Sequence, residues 1–218
     1  MKQKNLSKYL EIGVFSGHIF FWIKSKFKIA VDPYFKFNQF KKSAKLLLNP
    51  FNFFNQYFEK PSDDFFKENA PQIFSDTKLE IALIDGMHEY LFALRDVENA
   101  LRYLSANGVI ILHDCNPQKK ENAVSFAELK AKDFKNTWNG DVWRAVLHLR
   151  SLRKDINVFT LDCDHGLGVV TFGKPENPLN YTAVEIEKFT FEDFKANRSS
   201  WLNLKPADYF YEYFQVSQ

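Results

Sequence analysis

Apolar positions along the chain fall into two rhythms. Short apolar runs at Tyr9–Ile12, Ile29–Val31, Leu79–Ile84 and Val109–Leu112 read as strands. The last has no polar interruption, as expected of a strand buried on both faces of a parallel sheet. Between the runs the spacing becomes helical. Ile19, Phe20 and Ile23 share one face of a helix predicted from Gly17 to about Phe27. Leu91, Leu94, Val97, Leu101 and Leu104 share one face of a second, which Asn107-Gly108 should end as a glycine cap. A short strand is predicted at Gln56–Glu59, and a helix follows Pro61 with Ser62 as its N-cap. Further helices are predicted around Ala123–Lys132 and from Trp138–Val146. Ile156–Leu161 and Leu167–Phe172 are two more strands, joined closely enough by Asp162–Gly166 to make an antiparallel hairpin.

Each early strand ends in a residue that could do chemistry. Glu11-Ile12 leads into Gly13-Val14-Phe15-Ser16-Gly17, a glycine turn that opens towards a helix and lets a ligand approach backbone N–H groups. Asp32 ends the second strand 19 residues after Gly13. An acid about 20 residues past such a turn accepts ribose hydroxyls in nucleotide-binding α/β folds. Ser62 and Asp63 follow the third strand and could face a base. Asp85 ends the fourth strand, with His88 just beyond, and His113-Asp114 end the next.

Residues 34–58 break the rhythm with Phe, Lys and Asn, including a predicted helix at Lys41–Leu48. This insertion could simply pack on its own core, close as a lid, form a dimer surface or meet a membrane surface. The segment 190–218 reads as a tail of two short helices rich in aromatics.

Composition narrows the class. The 218 residues suit one domain, and the net charge of +2 gives no electrostatic case for nucleic acid. Two cysteines cannot make a disulfide framework, so a reducing cytoplasm is the expected compartment. No apolar run reaches the ~20 residues of a membrane span, and Met1–Asn5 leads into the first strand without an apolar leader.

Alternating strands and helices with these strand-end residues describe a Rossmann-like sheet. The spacing Gly13-x-x-x-Gly17 fits neither the dinucleotide pattern nor a P-loop. It resembles the first motif of class I S-adenosylmethionine-dependent methyltransferases. Ile84–Tyr90, Arg95–Asn99, Gly108–Pro117, Trp138–Trp143 and Asp164-x-Gly166-Leu167-Gly168 are similar to the bacterial branch known as methyltransferase family 24. Together they cover roughly residues 8–173.

The resemblance implies a doubly wound, seven-stranded, mostly parallel sheet closed by an antiparallel strand, within one domain spanning residues 1–218. It implies S-adenosylmethionine as cofactor, bound by Glu11, Gly13, Val14, Phe15, Gly17, Asp32, Ser62, Asp63 and Asp85. The Phe-rich insertion would stand in for the substrate-covering helices that often precede this fold. Asp85, His88, His113 and Asp114 are the catalytic candidates. Asp85 and Asp114 could hold a divalent cation such as Mg2+, as in catechol-type O-methyltransferases, although Cys115 stands where those enzymes have Asn. Alternatively His88 or His113 acts as a metal-free general base. Asp141 and Trp143 could wall an acceptor pocket, or be a helix cap and a core aromatic.

The expected activity is methyl transfer to a small-molecule acceptor, an oxygen of a sugar, glycan precursor or secondary metabolite. A catalytically inactive cofactor-binding or interaction protein on the same fold is the alternative. Nucleic-acid methylation is disfavoured, since Asp85-Gly86-Met87-His88 replaces the Asn/Asp-Pro-Pro-Tyr signature. A homodimer through the insertion or the tail is an assembly the aromatic surface allows.

Overall fold

The computed structural model describes residues 7–131 and 137–217. The predicted Ala123–Lys132 helix therefore runs past the described residues at its end. Eight strands make a mixed sheet in the order β3-β2-β1-β4-β5-β7-β6-β8. The chain divides into two compact units, Met1–Gly86 with Glu98–Val109, and Met87–Val97 with Ile110–Gln218.

In the first unit β1 (Lys8–Ile12) lies parallel between β2 (Phe27–Asp32) and β4 (Leu79–Ile84), and β2 pairs with β3 (Gln56–Glu59), also parallel. Leu10, Ile29, Ala30, Leu79 and Ala82 are fully buried, as expected of strands covered on both faces. Helix α1 (Gln39–Leu48) lies in the Phe-rich insertion, and α2 (Ser62–Glu68) and α3 (Ala70–Ile73) follow β3. Ser62 is the first residue of α2 rather than its N-cap. Pro61 takes that place without a side-chain bond.

The helix predicted from Gly17 does not form. A single 3-10 turn spans Phe20–Trp22. The Phe20 and Ile23 carbonyls accept from the buried Lys28 ammonium, each at 3.0 Å. The Phe21 carbonyl accepts from the amides of Asn49 at 2.9 Å and Asn52 at 3.1 Å. These side chains satisfy acceptors that an α-helix would have satisfied with its own backbone.

Helix α4 (Tyr90–Tyr103) runs directly into β5 (Leu104–Leu112). Its buried positions include Tyr90, Ala93, Val97, Ala100 and Leu101, whereas Leu91 is exposed. Gly108 is not a left-handed helix cap. It sits inside β5, where a β-carbon would come 2.7 Å from the Leu104 side chain.

The second unit contains α5 (Phe126–Ala131) and α6 (Trp143–Leu152), then β6 (Ile156–Leu161) and β7 (Leu167–Phe172) in the predicted antiparallel hairpin. Helices α7 (Ala183–Lys188) and α8 (Phe191–Leu202) each start with a capping box, Thr182 with Glu185 and Thr190 with Asp193. The tail then adds an eighth strand to the expected seven. β8 (Leu204–Lys205) pairs parallel with β6 before α9 (Tyr209–Phe214). Trp143 is a core aromatic, stacked on Trp201 at 5.9 Å and beside Phe194 at 4.8 Å, so it walls no acceptor pocket. Arg150 is buried and donates to the carbonyls of Ser200, Trp201 and Asn177, tying α6 to the tail.

Candidate active site

The glycine turn closes against the ends of its neighbouring strands. Gly13 N–H donates to the Val31 carbonyl at 2.9 Å, and Asp85 N–H donates to the Ile12 carbonyl at 2.9 Å. Gly13 has φ +81°, and a β-carbon there would lie 2.0 Å from the Asp85 carbonyl oxygen. Only glycine tolerates both the conformation and the approach. Gly17, at φ +73°, would meet only the ring of Phe21. Between them Phe15 also has a positive φ, 48°. Such strain in a non-glycine residue concentrates at functional turns. Val14 is buried, while Phe15 is exposed under the Lys36 ammonium, 4.5 Å from its ring.

Asp32 fixes this turn from the end of β2. One carboxylate oxygen accepts Phe15 N–H at 2.7 Å and the other accepts Tyr34 N–H at 2.8 Å. Each oxygen keeps a further lone pair for an incoming hydroxyl. Ser62 and Asp63 stand in the first turn of α2, after β3, with Asp63 exposed.

Glu11 lies in the interior. It is 3% exposed and accepts from the Tyr9 hydroxyl. Burial pushes its carboxyl up to about 8, and burial brings Lys28 down to about 8.

The other candidates belong to the second unit and converge on Asp114. This residue is 3% exposed with φ 60°. One carboxylate oxygen accepts the Asn139 amide. The other sits 3.1 Å from Nδ1 of His88 and 3.1 Å from Nδ1 of His113. His88 Nδ1 also bonds the Trp138 carbonyl at 2.8 Å, with its ring stacked on the indole. A carbonyl only accepts, so Nδ1 carries a proton, and in the neutral tautomer Nε2 is the basic nitrogen. His113 has a carboxylate at both nitrogens, the second being Asp164 at 3.3 Å from Nε2. Gly140, at φ +60°, lets the Asn139 turn lie against the His88 carbonyl, which a β-carbon would meet at 1.6 Å.

Asn139, Trp138 and Asp164 are the partners that the candidate set lacked. They fall in the Trp138–Trp143 and Asp164–Gly168 stretches already singled out by resemblance. Asn116 turns away to the Asp162 carboxylate at 3.0 Å. Asp141 caps α4, accepting Tyr90 N–H at 2.6 Å, and pairs with Arg144. His18 is exposed, and the His165 carbonyl accepts Asn116 N–H at 2.7 Å in the hairpin turn.

A parallel sheet with a glycine turn after β1 and acids ending β2 and β4 is the framework of a class I methyltransferase. A family model described as a methyltransferase domain, that of methyltransferase family 24, matches residues 10–115 of the chain. No curated protein matches the chain. Among the described residues no helix is long and apolar enough to cross a membrane.

Proposed function

We propose that the protein transfers a methyl group from S-adenosylmethionine to an oxygen of a small cytoplasmic acceptor, a sugar, glycan precursor or secondary metabolite. The observation that carries this reading is the Gly13 turn, held by the Asp32 carboxylate in a shape that admits no side chain at Gly13. The residues fit the cofactor. Asp32 would take the ribose hydroxyls, the Gly13–Gly17 backbone would lie along the ribose and methionine, and Ser62 and Asp63 would approach the adenine. Glu11 would support the turn from beneath. When bound, the cofactor supplies an electrophilic methyl group on sulfur.

The chain's own part is to position the acceptor and take its proton. His88 Nε2 is the base we assign. The Trp138 carbonyl fixes its tautomer, and Asp114 stabilises the imidazolium formed as the proton leaves the acceptor hydroxyl. This metal-free reading is preferred to a divalent cation such as Mg2+ because Asp114 already accepts the Asn139 amide and faces the His88 Nδ1 proton.

Titration calorimetry with S-adenosylmethionine and its demethylated product, followed by mass-spectrometric turnover on hydroxylated acceptors, tests the reading. Binding with turnover that survives chelation supports it. Absence of binding overturns it, binding without turnover returns the inactive cofactor-binding protein, and loss of turnover with EDTA restores the metal.

A further inference from the structure

Helix α1 is amphipathic with its apolar side turned outward. Phe40, Leu47 and Leu48 recur at i, i+7 and i+8, so they share one helix face. They are 82%, 89% and 65% exposed. Just beyond the helix, Phe53 and Phe54 are 66% and 76% exposed. Lys42 and Lys45 of α1 lie along the protein's own aromatic rings instead. Lys42 Nζ is 4.1 Å from the Tyr57 ring centre and Lys45 Nζ is 4.2 Å from that of Trp22. A globular helix normally hides its apolar stripe, and a contiguous exposed one marks an interaction surface.

Charge identifies the occupant. Residues 12–58 contain seven lysines, of which Lys28 is buried, and a single acid, Asp32. That segment carries +6 and leaves −4 for the rest of a chain whose total is +2. The one acid is 8% exposed and bound to two backbone N–H groups. A second copy docking by two-fold symmetry would bring the same lysine-rich patch against itself, and the exposed Glu59 at its edge, already accepting the Phe35 N–H at 3.1 Å, offsets only part of that charge. An anionic bilayer supplies both complements, acyl chains for the exposed Phe and Leu and negative headgroups for the flanking lysines.

We propose that the α1 segment docks the protein peripherally on an anionic lipid surface, with Phe40, Leu47, Leu48, Phe53 and Phe54 entering the interface. The proposal goes beyond methyl transfer and does not depend on it.

Flotation of the full chain with vesicles tests it. Vesicles of phosphatidylcholine with about 30% phosphatidylserine should carry the protein upward, and pure phosphatidylcholine should carry several-fold less. Salt at about 0.5 M should weaken the binding. The double variant Leu47→Glu/Phe54→Glu should lower the bound fraction at least about tenfold, with an unchanged thermal melt because both positions are exposed. The proposal is overturned if the wild type stays unbound with anionic vesicles, or if the variant floats equally well. It is also overturned if the wild type sediments as a dimer that the variant dissociates without any vesicle binding, which would make this face an interface between copies.

Discussion

His88 Nδ1 stands 3.1 Å from a carboxylate oxygen of Asp114 while also bonding the Trp138 carbonyl. The ring is thus held in one tautomer by two acceptors, one charged and one neutral. His88→Ala should lower kcat by about 10²–10⁴. Affinity for S-adenosylmethionine should stay within about twofold, because His88 is not among the residues proposed to hold the cofactor. Turnover measured beside calorimetric binding checks the split. Equal loss of both would refute the role as base.

Asp114→Asn should act through His88. The amide keeps a hydrogen-bonding group beside the imidazole but removes the charge that stabilises imidazolium. A fall in kcat of roughly 10–10³ is expected with little change in KM. A KM effect alone would make Asp114 purely a part of the fold.

The two turn glycines should differ. Gly13→Ala places a β-carbon against backbone that is itself hydrogen-bonded, so it should cost more than about 2 kcal/mol and abolish cofactor binding. Gly17→Ala meets only the Phe21 ring, a side chain able to shift, and should retain measurable binding. Chemical denaturation with calorimetry ranks the pair, and equal tolerance at both would remove Gly13 from the site.

Glu11 and Lys28 make stability depend on pH. Between pH 4.5 and about 8 the folded state keeps a proton on Glu11 that the unfolded state releases, so stability falls as pH rises through this window. Between about 8 and 10.5 the unfolded state holds the extra proton, on Lys28, and stability recovers. The contribution of this pair is therefore lowest near pH 8. Glu11→Gln should flatten the fall in melting temperature between pH 5 and 8. An unchanged slope would show that the carboxyl is not responsible.

The glycine turn, Asp32 and Asp85 were legible in the sequence because each follows a short apolar run with few alternative readings. The β6–β7 hairpin was legible for the same reason, with a tight polar turn between two strands. The Phe20–Trp22 turn was not. Its carbonyls are satisfied by Lys28, Asn49 and Asn52, and the two asparagines come from 26 to 31 positions downstream, beyond any local pattern. Gly108 misled for a related reason. It permits close approach to Leu104 rather than left-handed backbone, and both uses look alike in sequence. The cluster on Asp114 was half legible. His88 and His113 stood out, whereas Asn139 and Asp164 reach it from separate turns.

The eighth strand sets an order of events during synthesis. Thr160 on β6 finds its partner Leu204 44 positions later, and the Asp162 N–H finds the Lys205 carbonyl at 2.8 Å. While the ribosome still holds that last segment, β6 has an open flank able to recruit a foreign strand. Leu204 and Lys205 close it, and Tyr209 and Tyr213 of α9 then cover Phe159. A chain stopped at Asn203 should retain the glycine turn yet aggregate as it is made, while one carried through α9 should stay in solution.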